Sequence, residues 1–237
     1  MIAVYDACVL HDPALRDLLI RLARKPGLDI QAKWSEQILD EMVRSIAERR
    51  PDLDPARLER TRELMCEAIR DSLVIGHMSL VDELELPDPD DRHVLAAAIH
   101  ARAEVIVTFN LHDFPLDALD RYGIEAEHPD DFVLQLLDVD APSVIAAVVE
   151  QSAALTRPPQ TVPELLDSLA SRTSTYSASD TPALPARWLF SMRLMWPAIP
   201  PEFCLRHAAS QRPTPGVRFA LSASRAGLGV RPQRCGR

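Results

Sequence analysis

Acidic side chains in this chain follow predicted strands or begin predicted helices. Asp6 closes a short apolar strand at the start of the chain, Asp91 lies at a helix start, and Asn110 and Asp113 follow a second apolar strand. Open α/β sheets place their sites where strands end and helices begin. Two carboxylates about 5 Å apart repel each other by roughly 3 kcal/mol at an effective dielectric of about 20. Because a divalent cation removes that repulsion, the pattern indicates a hard-metal site.

Each of these residues also has a purely structural explanation. Asp6, Asn110 and Asp113 are ordinary turn formers at strand ends. The run 88–91 suits a helix start, because an Asp can cap the helix, Pro fits its first position and acids complement its dipole. Asp91, however, shares a helix face with apolar residues, so it is predicted to point toward the sheet. The helix-start explanation therefore accounts for Asp91 less well than for its neighbours.

The elements that must position these residues alternate between strands and helices. Apolar runs and helical periodicity, with Gly and Pro as breaks, define their bounds. Strands are predicted at 2–5, 28–32, 73–75 and 104–108, and helices at 13–25, 36–49, 55–71, 89–102, 115–121, 129–137, 141–154 and 163–169. Such alternation predicts an α/β fold with a mainly parallel central sheet and helices on both faces.

Composition divides the chain into three parts. We predict an α/β domain over 1–140, a helical extension over 141–170, and an irregular, disordered or poorly packed tail over 171–237, which is rich in Pro, Arg and Ser. The tail carries ten Arg and two acids, Asp180 and Glu202, and so has a charge of +8. Because the net charge of the chain is −9, residues 1–170 carry −17. The abrupt change of composition also fits a frameshifted gene product.

Composition and missing motifs exclude several classes of protein. A body this acidic is a poor general binder of nucleic acid, and it would need a metal or a local basic rim to act on RNA. The first helix, with Arg16, Arg21, Arg24 and Lys25, offers such a rim or simply a solvated face. No phosphate-binding glycine motif and no zinc motif is present, and His93, His100 and His112 are predicted to be ordinary surface or core residues.

Several features of the sequence indicate a cytoplasmic protein. Its four cysteines are widely spaced and form no Cys-x-x-Cys pair. We find no signal peptide and no run of about 18 apolar residues, so no membrane association is expected.

Four segments resemble the PIN-domain ribonuclease family, and specifically the VapC-like toxins of bacterial toxin–antitoxin pairs. They are 4–10 (VYDACVL), 34–41 (WSEQILDE), 87–98 (PDPDDRHVLAAA) and 105–115 (VIVTFNLHDFP). The resemblance covers about residues 1–140, and 158–169 is similar to the small C-terminal extension of the relevant subgroup. It implies a PIN-like three-layer α/β/α fold, which leads into that extension. The tail departs from the family pattern.

The resemblance also implies a site and a chemistry. Asp6, Glu41, Asp91 and Asp113 would coordinate one or two Mg²⁺ or Mn²⁺ ions. By its helical phase alone, Glu41 would be read as an exposed glutamate. Asn110 would order the metal shell. Ser35 is a helix cap or a contact to metal-site waters, and Asp90 is an outer ligand or a plain first-turn acid.

The function that this site implies is that of a toxin. The family hydrolyses RNA phosphodiester bonds with a metal-activated water, and the toxin is neutralised by a cognate antitoxin. A homodimer is expected by the same analogy. The alternatives are a catalytically inactive PIN-fold interaction module and a product made inert by its frameshifted tail.

Overall fold

The computed structural model describes residues 1–176, 187–200, 202–203 and 207, and these residues form an α/β fold around one sheet. All five strands of the sheet are parallel, in the order β3-β2-β1-β4-β5. The strands are β1 (Ile2–Tyr5), β2 (Gln31–Ser35), β3 (Leu73–Val74), β4 (Val105–Val107) and β5 (Glu125–Glu127). With helices on both sides of this sheet, the predicted fold class is confirmed.

The central strand β1 sets the geometry of the site. It pairs with β2 and β4, so that Ala3 lies beside both Ala32 and Val105. Three of its four residues are fully buried, as expected of a parallel strand covered on both faces. Because parallel strands end at the same edge, the residues that follow β1, β2 and β4 are brought side by side.

Ten α-helices in the described chain surround the sheet. Helix α6 packs against β1, β2 and β4, while α2 and α8 pack on each other and α8 places Phe132 edge-on to the Tyr5 ring. The helices are α1 (Ala7–Leu10), α2 (Pro13–Ala23), α3 (Glu36–Arg49), α4 (Pro55–Ala68), α5 (Met78–Val81), α6 (Arg92–Ala101), α7 (Leu116–Leu119), α8 (Pro129–Ala154), α9 (Val162–Tyr176) and α10 (Arg187–Met195).

Some elements differ from the sequence-based prediction. The strand expected at 28–32 forms at Gln31–Ser35, because Pro26–Leu28 takes a 3-10 turn after α2. Strand β5 was not predicted, since two of its three residues are glutamates and edge strands carry little apolar signal. Helix α1 was also missed, as a single turn shows no periodicity.

Helix α8 contains the two helices predicted at 129–137 and 141–154, which meet at a kink. Asp140 has non-helical backbone angles inside it, and its carboxylate accepts hydrogen bonds from the backbone and hydroxyl of Ser143. The side chain therefore caps the second half of the helix at the kink. By length and composition this helix could cross a membrane, contrary to the prediction that no such run exists, but more than half of its most apolar stretch is buried in the fold.

Two helices extend the described chain beyond residue 170. Helix α9 ends at Tyr176, and α10 forms within the segment predicted to be irregular. Trp188 and Met192 of α10 are buried, and the Trp188 indole donates a 3.0 Å hydrogen bond to Asp130 of α8. Of that segment, residues 177–186, 201, 204–206 and 208–237 lie outside the described residues, and the division into three domains stays a prediction.

Candidate functional site

Asp6 follows β1 and is held firmly. Its backbone N–H donates to the carbonyl of Val107, and its Oδ2 accepts hydrogen bonds from the Thr108 hydroxyl at 2.7 Å and the Cys8 thiol at 3.0 Å. Burial raises the pKa of Asp6, the hydrogen bonds from Cys8 and Thr108 lower it, and the charge of Glu41 raises it further. The carboxylate at the end of the central strand is therefore fixed in position and buried at a cost.

Asp91 ends the 3-10 turn Pro89–Asp91 that leads into α6. Its side chain is 8% exposed, and its buried Oδ2 has no hydrogen-bond partner among the described residues. Burial raises its pKa to about 8, with further contributions from the charges of Asp6, Asp113 and Glu41. Four acids that are far apart in sequence thus act on one another electrostatically in the fold.

Glu41 and Asp113 each face a histidine. Glu41 extends from α3 with 42% of its side chain exposed, and its Oε2 lies 3.5 Å from Nε2 of His93. Asp113 is buried in the 3-10 turn after β4, with its Oδ1 2.9 Å from Nε2 of the exposed His112. The two acids therefore have imidazole neighbours that the sequence analysis treated as ordinary residues.

The three supporting residues lie around this group with different roles. The hydroxyl of Ser35 accepts a 3.2 Å hydrogen bond from Ile38 N–H and caps α3, which is the simpler of its two predicted roles. The backbone N–H of Asn110 donates to the hydroxyl of Thr108 at 3.0 Å. Asp90 is exposed, while its neighbour Asp91 is buried. The side-chain roles of Asn110 and Asp90 stay predictions.

The donor set fits a hard divalent cation in its chemistry. Carboxylate oxygens are the ligands that Mg²⁺ and Mn²⁺ prefer, and the Asp91 oxygen without a partner among the described residues could serve as such a ligand. Within the described ranges, no three His, Cys, Asp or Glu side chains already stand close enough to bind one ion. The acids would therefore have to turn toward one another to form a complete coordination sphere.

Of the four residues of the predicted basic rim on the first helix, Arg24 is exposed, whereas the other three make contacts within the fold. Arg16 is buried and donates to the carbonyl of Leu10. Arg21 pairs with Asp17 at 3.0 Å, and Lys25 pairs with Glu150 at 2.5 Å. These cations stabilise the packing of α2 and of the turn that follows it.

Thr108 is the residue at this edge that sequence analysis missed most clearly. Its hydroxyl binds the carboxylate of Asp6 from 102 positions away in the chain. Its place directly after β4 was a usable signal, since the residue that follows a parallel strand lies at the edge where Asp6 lies. A single Thr after an apolar strand nevertheless matches no recognised sequence motif.

Comparison with known proteins agrees with this geometry. The PIN domain family matches residues 3–112, and the VapC50 C-terminal domain family matches residues 129–179. Over 107 residues the chain is 43% identical to a Mycobacterium tuberculosis protein named "Putative ribonuclease VapC50", an alignment that spans 45% of this chain and 63% of the relative. No solved structure matches the chain significantly. Residues 3–112 therefore match a PIN domain, in agreement with the fold, and residues 129–179 are similar to the VapC50 C-terminal domain.

Proposed function

We propose that this protein is a metal-dependent endoribonuclease toxin that is neutralised by a cognate antitoxin. The observation that carries the proposal is the buried oxygen of Asp91 that has no partner among the described residues. Burial raises the pKa of this carboxyl, and the charges of Asp6, Asp113 and Glu41 raise it further. A structural cap would be exposed or hydrogen-bonded, as Asp88 is through the backbone N–H of Asp90. An acid held without a partner among other acids is better explained as a cation ligand.

The residues have distinct parts in the proposed reaction. Asp6, Glu41, Asp91 and Asp113 would hold Mg²⁺ or Mn²⁺, which when bound lowers the pKa of a water molecule and offsets charge on the phosphate. Thr108 fixes the orientation of the Asp6 carboxylate. Cys8 is unsuited to act as a nucleophile, because burial and the charge of Asp6 raise the pKa of its thiol well above the usual value. Water is therefore the proposed nucleophile.

The substrate and partners follow from the family rather than from the residues of the site. The relative's name includes "ribonuclease", and we extend that activity to this chain. A cation would also relieve the mismatch between an acidic protein body and a polyanionic substrate. The antitoxin, the homodimer and the cytoplasmic location are parts of the same proposal.

A nuclease assay with matched variants tests the proposal. The purified full chain should cleave structured RNA with Mg²⁺ or Mn²⁺ and stop when EDTA is added. Asp6→Asn and Asp91→Asn should abolish cleavage, because each removes a ligand charge while keeping the shape of the side chain. Asp117→Asn, at an exposed position on α7, is the control and should cleave like the wild type.

Two outcomes would oppose the proposal in different ways. Cleavage that persists in both Asp6→Asn and Asp91→Asn would show that the acidic group is not the site. If the wild type binds its antitoxin but cleaves no RNA with either ion, the protein is an inactive interaction module. Truncation after Tyr176 that restores cleavage would instead support the damaged-tail alternative.

A further inference from the structure

Glu41 differs from the other acids of the site in how it is held. Asp6, Asp91 and Asp113 are buried residues, whereas the side chain of Glu41 is 42% exposed on a helix surface. A long, half-exposed glutamate samples several rotamers, and ordering it costs conformational entropy. Something must therefore hold its carboxylate toward the site if it is to act as a ligand.

His93 is the neighbour placed to do this. It lies on α6 with 16% of its side chain exposed, and its Nε2 lies 3.5 Å from Glu41 Oε2. Asp91 lies two residues earlier, at the start of the same helix. The helix that carries one acid of the site therefore also carries the residue that faces another.

The environment of the His93 ring favours a proton on Nε2. Its Nδ1 is buried and has no hydrogen-bond partner among the described residues, so a proton on that atom would be left without an acceptor. A proton on Nε2 points at Glu41. His77, itself 2% exposed, lies within electrostatic range of His93.

We propose that His93 is a positioning residue for Glu41, donating from Nε2 to the carboxylate and holding it toward Asp91. This inference rests on the proposed function, because it gives Glu41 the role of a metal ligand. In metal sites, residues that orient the ligands contribute to affinity without touching the ion. His93 is assigned that role and is not itself a ligand.

The test measures Mn²⁺ affinity by calorimetry on the full chain, which does not depend on RNA cleavage. His93→Ala should weaken Mn²⁺ binding by about 10-fold or more, the usual effect of losing such a residue. His93→Gln should bind nearly as well as the wild type, because its amide nitrogen reaches the place of Nε2, whereas His93→Asn is too short and should behave like His93→Ala. His100→Ala is the matched control. His100 is an exposed histidine on α6, the helix that carries His93, and it also lies near His77.

A double-mutant cycle identifies the partner. In a Glu41→Gln background, His93→Ala should cause little further loss, because the two residues act as one unit. Wild-type affinity in a folded His93→Ala, equal affinities for His93→Gln and His93→Asn, or an undiminished loss in the Glu41→Gln background would overturn the inference. If His93→Ala does not fold, the comparison of Gln with Asn decides.

Failure of this inference can be told apart from failure of the proposed function. Asp91→Asn should abolish Mn²⁺ binding whatever the role of His93. If Asp91→Asn binds Mn²⁺ like the wild type, the proposed metal site is wrong. If Asp91→Asn loses binding and every His93 variant keeps it, the metal site stands and the positioning role is wrong.

Discussion

Replacing Asp91 with Asn should change how stability depends on pH when no divalent ion is present. Burial and the charges of its neighbours raise the pKa of Asp91 from 3.8 to about 8. A carboxyl whose pKa is raised by folding stabilises the protein while it is protonated. That contribution is complete below pH 3.8 and is lost as the pH rises through 8. The Asn variant has no proton to lose and should not show this fall.

The size of this stability change follows from the pKa shift of Asp91. A shift of about four pKa units, at about 1.4 kcal/mol each, sets a ceiling of about 6 kcal/mol on the stability lost between pH 4 and pH 9. Movement of the side chain toward solvent lowers this value. We expect Asp91→Asn to be more stable than the wild type at pH 9 by at least about 2 kcal/mol, a large fraction of a typical domain's stability.

Urea unfolding in EDTA at pH 5, 7 and 9 measures this difference. The gain from Asp91→Asn should grow steadily from pH 5 to pH 9, and the control Asp117→Asn should change little at any pH. Added Mn²⁺ should stabilise the wild type at pH 7 and leave Asp91→Asn unaffected, since only a bound ligand shifts unfolding. A gain that differs by less than about 0.5 kcal/mol between pH 5 and pH 9, the scatter of surface substitutions, would refute the reasoning.

Three further substitutions test the supports of the fold and site. Burial raises the pKa of Asp130 to about 6, so the stability that its protonated form contributes is lost as the pH rises from about 4 through 6. Asp130→Asn should remove that loss and be up to about 3 kcal/mol more stable than the wild type at pH 8 in urea unfolding. The Asn side chain can still accept the hydrogen bond from Trp188. Trp188→Ala should cost about 3–5 kcal/mol by the same method, and a smaller loss would mean that α10 is not docked in solution. Thr108→Val should lower Mn²⁺ affinity about 10-fold or more by freeing Asp6, while Thr61→Val on α4 should leave it unchanged.

The sheet and most helices could be predicted because their signals are local. Apolar runs mark β1 and β4, and an Asp or Ser cap followed by helical spacing marks α2, α3 and α4. The kink of α8 at Asp140 falls in the gap between the two helices predicted at 129–137 and 141–154. Strand β5 could not be predicted in this way, because its own residues have little strand propensity and its conformation depends on pairing with β4.

The four acids of the proposed site were predicted from the sequence, but the residues that contact Asp6 and Glu41 in the structure were not. Asp91 carries a helix-start pattern, and the family resemblance added Glu41, whose exposed phase gave no reason to select it. Thr108 and His93 act through contacts across 102 and 52 positions of the chain, which no local pattern encodes. His93 was predicted to be ordinary because it lacks a zinc spacing, and that rule says nothing about a histidine that orients a carboxylate.

The central claim is that folding gathers Asp6, Glu41, Asp91 and Asp113 around a divalent cation. Anomalous diffraction from crystals of the full chain soaked in Mn²⁺ tests it most directly, because the ion is located without reference to activity. We predict a manganese peak at the carboxyl edge of the sheet, bound by oxygens of Asp6 and Asp91 at about the distances of a hard-cation site. A well-occupied ion elsewhere, or no ion between Asp6 and Asp91 at saturating Mn²⁺, would contradict the account.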